Sequence, residues 1–186
     1  MSGITLACVY VSNAAPPGAE RLRNFGVPLT IQFATCLDKR KLREICLAAG
    51  MDLAGKIEEH LVIKQDSILI GGAMLTQSDH DVFHLQLIAV DASCRSSGAG
   101  THLLQQILRD PWNCCRDAVD GSGKGYRVTT VARGTAASFY RKHGFERCDF
   151  TELANPFRNQ CGTCPRRDDC NPVAMRFSQR SKGELR

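Results

Sequence analysis

Nowhere do about eighteen apolar residues run together, so no stretch of the chain is suited to cross a bilayer as a helix. The opening residues, MSGITLACVYVSN, hold an apolar patch without the basic residues that begin a secretory signal, and the chain reads as cytoplasmic. Charge of one sign is also scarce. Twenty-four Lys and Arg against nineteen Asp and Glu leave +5, which suits phosphate groups or a polyanionic partner and suits a solvated basic surface at least as well. Internal repeats are missing, which excludes a solenoid. What remains is a chain of 186 residues, 43% hydrophobic, enough for one core in a single domain.

The stretch 83–108, FHLQLIAVDASCRSSGAGTHLLQQIL, changes hydrophobic period at a basic, glycine-bearing turn. Leu85, Leu87, Ile88, Ala89 and Val90 read as a buried strand, and Leu103, Leu104, Ile107 and Leu108 recur at helical spacing. Between them Arg95, Ser96, Ser97, Gly98, Ala99, Gly100 and Thr101 keep the helix start free of bulky side chains. Free backbone N–H groups, the positive end of the helix dipole and the Arg95 charge meet there, which makes an anion site suited to a phosphate ester.

Residues 1–28 contain the breaker cluster Ala14-Ala15-Pro16-Pro17-Gly18 and form an extension. A strand is expected at 29–35, then a helix capped by Asp38, carrying Leu42, Ile45, Cys46 and Ala49 on one face and stopped by Gly50. A second helix is expected at 52–59, followed by strands at 61–64 and 67–77 with a bend or bulge at Gly71-Gly72. The helix after the phosphate turn should falter at Pro111, and a glycine-rich linker leads to a strand at 127–132. A helix at 135–143, a strand at 145–153 and a last strand at 173–177 complete a domain spanning 29–177, and the charged tail 178–186 should fray.

The pattern Arg-x-x-Gly-x-Gly at 95–100, after a strand ending Ala-Val, resembles the acyl-CoA pyrophosphate loop of the GNAT superfamily of N-acyltransferases. The run 136–145, AASFYRKHGF, resembles that family's second motif, a short helix with an aromatic pair ending at Lys-x-Gly-Phe. The resemblance covers roughly 30–177. It implies an α/β GNAT fold, a central mixed and mostly antiparallel sheet of about seven strands flanked by helices, with the central strands splayed around CoA. Acetyl-CoA or a related acyl-CoA would run past Leu87, Ile88 and Val90 to the turn at 95–101, and its acyl group would pass to an amine on a small molecule or protein. The fold also occurs in Mom-like DNA-modifying proteins and in toxins that acylate aminoacyl-tRNA, so DNA or tRNA stays open as acceptor. So do a non-catalytic CoA- or nucleic-acid-binding module and a homodimer.

Acyl transfer needs a neutral amine, a polarised carbonyl and an acid for the departing thiolate. An acid of pKa near 10 matches the thiolate, and Tyr140 occupies the family's position for it. His84 is the candidate base, since His84-Leu85-Gln86 is similar to the His-Leu-His strand of arylalkylamine acetyltransferases, with Gln86 in place of the second histidine. The oxyanion would be held by a backbone N–H near Leu87 or Ile88. Many relatives carry an asparagine beside the pantetheine arm where this chain has Arg133.

Cysteine is plentiful, with ten in the chain, and a secreted disulfide scaffold would be shorter and poorer in helical pattern, so these read as thiols or metal ligands. Cys8, Cys36, Cys46 and Cys148 have apolar neighbours and read as small core residues. Cys161, Cys164 and Cys170 form a Cys-x2-Cys-x5-Cys pattern in a segment, 155–171, whose Gly162 and Pro165 favour tight turns. The spacing is similar to that of iron–sulfur nucleases. A metal-binding insertion is expected, carrying a [4Fe–4S] cluster in first place or zinc in second, with Cys46 or Cys94 as fourth ligand.

Overall fold

The computed structural model describes residues 28–119, 121, 125–162 and 164–180. The extension expected at 1–28, except Pro28, lies outside these, as do Cys8 and the end of the tail, 181–186. Seven strands form one sheet: β1 (Leu29–Phe33), β2 (His60–Gln65), β3 (Ile68–Asp79), β4 (Val82–Val90), β5 (Gly125–Ala132), β6 (Glu146–Arg147) and β7 (Val173–Arg180). Their order is β1-β2-β3-β4-β5-β7-β6, and every neighbouring pair is antiparallel except β4 and β5. Among the described residues four α-helices accompany the sheet: α1 (Lys39–Ala48), α2 (Ala99–Arg109), α3 (Ala137–Lys142) and the single turn α4 (Arg167–Cys170).

The sheet carries a core on each face. Leu103, Leu104 and Ile107 of α2 pack with Phe83, Leu85, Val128 and Met175 on one side. Leu42, Ile45 and Cys46 of α1 pack with Val62, Met74, Leu87 and Ala89 on the other. Gly72 lets α1 come this close, because a Cβ there would meet Leu42 Cδ1 at 2.6 Å.

Phe83 and Leu85 therefore face α2, whereas Leu87 and Ala89, at the same alternation, face α1. A bulge explains the reversal. Met74 pairs with Leu87 but Leu75 pairs with Leu85, so Gln86 is an extra residue that shifts the two-residue period of β4 and bends the strand. At the far end of the sheet Trp112 sits edge-on between Phe83 and Tyr126, with ring centroids 5.3 and 5.5 Å away.

Three elements differ from the sequence expectation. The helix expected at 52–59 is only the turn Ile57–Glu59, because Gly55 takes φ +63°, a value that breaks a helix. The strand expected at 145–153 stops at Arg147, where Asp149 and Glu152 close a capping box around the turn Phe150–Glu152. β7 runs on to Arg180, into the tail expected to fray, and pairs with β5 along its length. Among the described residues no helix is long and apolar enough to cross a membrane.

Candidate active site

Strands β4 and β5 pair only from Val82 to Leu85 against Arg127 to Thr130. Past the Gln86 bulge they part, and the β5-facing backbone groups of β4 have no strand to bond. The gap opens into a cleft of about 670 Å³, walled by 86–90 of β4, 130–133 at the end of β5, the start of α2 and the Phe139–Tyr140 pair of α3. Of the residues expected to hold a cofactor, Leu87, Ile88, Val90, Arg95, Ser96, Gly98, Ala99, Gly100, Thr101 and Arg133 line it. Ser97 does not; its Oγ donates to the Cys94 carbonyl at 2.6 Å.

One end of the cleft is built for an anion. Ser96 and Gly98 take φ +64° and +91°, which turns the chain sharply into α2, and no side chain caps that helix. Its first N–H groups and the positive end of its dipole thus face the cleft beside Arg95. A Cβ on Gly100 would meet Val90 and Phe139 only at 3.5 Å and beyond, so the glycine leaves cleft space that a ligand can fill. Lys142 and His143, which sequence reasoning did not select, also line this end, and His143 Nε2 lies 3.3 Å from Thr101 Oγ1. Among the described residues no carboxylate lines the cleft.

At the other end Tyr140 reaches the splay. Its side chain is buried, its hydroxyl bonds to Thr130, and Thr130 Oγ1 donates to the Leu85 carbonyl at 2.9 Å. Burial pushes the phenol up to about 12, with the Thr130 bond opposing, so it stays protonated through the neutral range. Gln86 lines the cleft too and donates from Nε2 to Thr76 Oγ1.

His84 lies elsewhere. It is fully buried, is not among the lining residues, and stacks on Phe157 with ring centroids 3.8 Å apart and planes 8° from parallel. Thr129 Oγ1 sits 2.9 Å from Nδ1 and gives its proton to the Phe83 carbonyl at 3.1 Å, so Nδ1 carries the ring proton. Nε2 has no partner, and burial pushes the imidazole down to about 4. The alternation of β4 points His84 to the face opposite α2, where the segment between β6 and β7 covers it with Phe157.

The strand splay, the open helix start and the buried tyrosine are one arrangement, and residues 56–147 match the acetyltransferase (GNAT) domain family. This chain has the GNAT fold. N-acetylglutamate synthase from Neisseria gonorrhoeae, solved with coenzyme A and N-acetyl-glutamate, superposes with a TM-score of 0.62 at 18% identity over 81% of this chain. The chain spans 35% of that protein's length. Ard1 from Thermoplasma volcanium gives 0.58 at 16% identity over 81% of this chain and 97% of its own. The ribosomal-protein-S18-alanine N-acetyltransferase of Escherichia coli gives 0.57 at 16% over 86% and 99%. No curated protein sequence matches the chain.

The cysteines do not form the expected [4Fe–4S] or zinc centre. Among the described residues no three His, Cys, Asp or Glu side chains gather to hold an ion, and Cys161, Cys164 and Cys170 are free thiols. The segment is laid out as successive turns and the single helical turn α4, with Cys164 exposed before it and Cys170 at its end. Cys46, a proposed fourth ligand, is sealed beneath α1, where burial pushes its thiol up to about 11; Cys94 sits at the phosphate turn. Cys36, expected in the core, is exposed.

Proposed function

We propose that this GNAT domain transfers an acetyl or related acyl group from acyl-CoA to an amine. The observation that carries the reading is the cleft itself: a splayed β4/β5 pair leading from an uncapped helix N-terminus with Arg95 to a buried tyrosine. Two solved structures of similar fold, a synthase bound to coenzyme A and an N-acetyltransferase, support it. Acyl-CoA, when bound, supplies the thioester carbonyl and the thiol leaving group. Arg95 and the N–H groups at the start of α2 hold the pyrophosphate. An unpaired backbone N–H near Leu87 or Ile88 steadies the carbonyl oxygen as it gains charge, and Tyr140 gives its proton to the departing sulfur. His84, sealed behind Phe157, holds the acceptor wall in place, and the amine sheds its proton to solvent before attack.

Calorimetry tests the binding half of this reading. Arg95→Ala is expected to weaken CoA by about 1 to 3 kcal/mol, the range for a charge-assisted contact, and to leave pantetheine unchanged. Equal losses for both ligands would show that Arg95 does not read phosphate. Release of thiol from acetyl-CoA in the presence of an amine tests the chemical half.

A further inference from the structure

Arg133 lines the cleft and Arg166 lies beside it, and the transfer mechanism proposed above gives neither arginine a role. Arg133, at the end of β5, donates from Nη1 to the Ala49 carbonyl at 3.0 Å and from Nη2 to the Gly50 carbonyl. Arg166, in the segment between β6 and β7, donates from its own Nη2 to the same Gly50 oxygen. The two bonds measure 3.4 and 3.0 Å, so the two nitrogens are held within about 6.4 Å of each other. Gly50 makes this possible, because a Cβ there would meet Arg133 Nη2 at 2.8 Å. The return of the segment is fixed close by, where a Cβ on Gly134 would meet the Asn171 carbonyl oxygen at 2.9 Å.

Both side chains are exposed, so water screens part of their repulsion, and an anion placed between them would relieve the rest. The C-terminal end of α1, just before these carbonyls, offers about half a negative charge, which leaves well over one positive charge unbalanced. The ion pairs among the described residues are Lys41–Asp91, Lys64–Asp38 and Arg176–Glu152, and neither arginine takes part. Each guanidinium has five N–H groups, of which Arg133 spends two and Arg166 one on these carbonyls. Arg133, Ala49 and Met51 line the same cleft as Gln86 and Tyr140, on the α1 side of the splay. An amine that enters between the 50–56 loop and the segment carrying Arg166 passes this pair on its way to the splay.

We propose that Arg133 and Arg166 form an anion subsite at the acceptor mouth, so that the amine acceptor bears a carboxylate or a phosphate near its reacting nitrogen. The inference rests on the acyl-transfer reading for what the amine is used for. Two pairs of probes that differ only in the anion separate the cases: glycine against glycinamide, and phosphoethanolamine against ethanolamine. Their binding to the full chain is measured by ligand-detected nuclear magnetic resonance with CoA at saturation, so that the Arg95 turn is already filled. The anionic member of at least one pair is expected to bind tenfold or more tightly than its neutral partner, and the better pair names carboxylate or phosphate. Arg166→Gln is expected to bring that ratio below three, and Arg133→Gln to do the same. Arg166→Lys, which keeps the charge without the planar fork, is expected to retain an intermediate ratio. A ratio near one in the wild type, no binding by any probe, or an undiminished ratio in a folded Arg166→Gln protein overturns the proposal. Failure of the acyl-transfer reading shows separately, as absence of CoA binding. The probe ratio is then read in Arg95→Ala without CoA, where the phosphate turn has lost its charge.

Discussion

Tyr140 and His84 are both buried, yet the structure gives them opposite prospects. The Tyr140 hydroxyl lies at the cleft wall with a proton it holds to about 12, and in the mechanism proposed above only the departing thiolate calls on it. Tyr140→Phe is therefore expected to lower turnover roughly ten- to a thousandfold with CoA affinity unchanged, which single-turnover rates and calorimetry will separate. His84 is folded in its neutral form, at about 4 against an ordinary value of 6.5. Above pH 6.5 both folded and unfolded chains leave it neutral and no penalty arises. As pH falls from 6.5 to 4 the unfolded chain takes the proton first, and stability drops by roughly 3 kcal/mol from this residue. Burial shifts His60, and burial together with a neighbouring cation shifts His102 and His143, in the same direction and adds to the slope. Urea unfolding at several pH values is expected to show a shallower slope in His84→Asn, while its rate against pH keeps the wild-type shape. A rate profile that loses a limb between pH 6 and 8 would return the base role to His84. The place of the tyrosine in the cleft was legible from its motif. The fate of the histidine was not, because Phe157 lies 73 positions away in a segment whose cysteine spacing says nothing of where its aromatic side chain packs.

The elements that make the cleft were largely readable from periodicity: β4, the phosphate turn and α2 follow from one change of period, and α2 ends at Arg109, just before Pro111. What periodicity hides is the bulge. The run Leu85, Leu87, Ile88, Ala89, Val90 is apolar on both faces, so the alternation that would expose an extra residue is masked. Gln86 does two jobs there, since it parts β4 from β5 and turns Leu87 and Ala89 towards α1. Deleting Gln86 is expected to swing Leu87 and Ala89 towards α2 and to yield little folded protein. Gln86→Ala keeps the residue count and is expected to fold with a cooperative thermal transition. Circular dichroism melts of the two variants give the comparison, and a deletion variant as stable as the wild type would remove the bulge from the account. The short β6 shows the converse limit, in which a capping box that is plain in the letters Asp149 and Glu152 overrules a mixed stretch that looked like strand.

At the scale of the whole molecule the sheet divides its labour along its length. The paired ends of β4 and β5 are held by core on both faces, and the splayed ends carry the cleft and the arginine pair. The cysteine triplet shows why spacing alone misled. A Cys-x2-Cys-x5-Cys run becomes a metal site only when its side chains gather into a ligand set, and among the described residues no such set forms; the chain between Cys164 and Cys170 carries Arg166 across to Gly50. The single tryptophan belongs to the paired end. Trp112 touches Phe83 and Tyr126, and Tyr126 stands about five strand residues, ~17 Å, from the Val131 wall of the cleft. Its emission is accordingly a gauge of whether the sheet is intact and is blind to what occupies the cleft. An optical titration of ligand must rely on a dye or on a second tryptophan placed at the mouth.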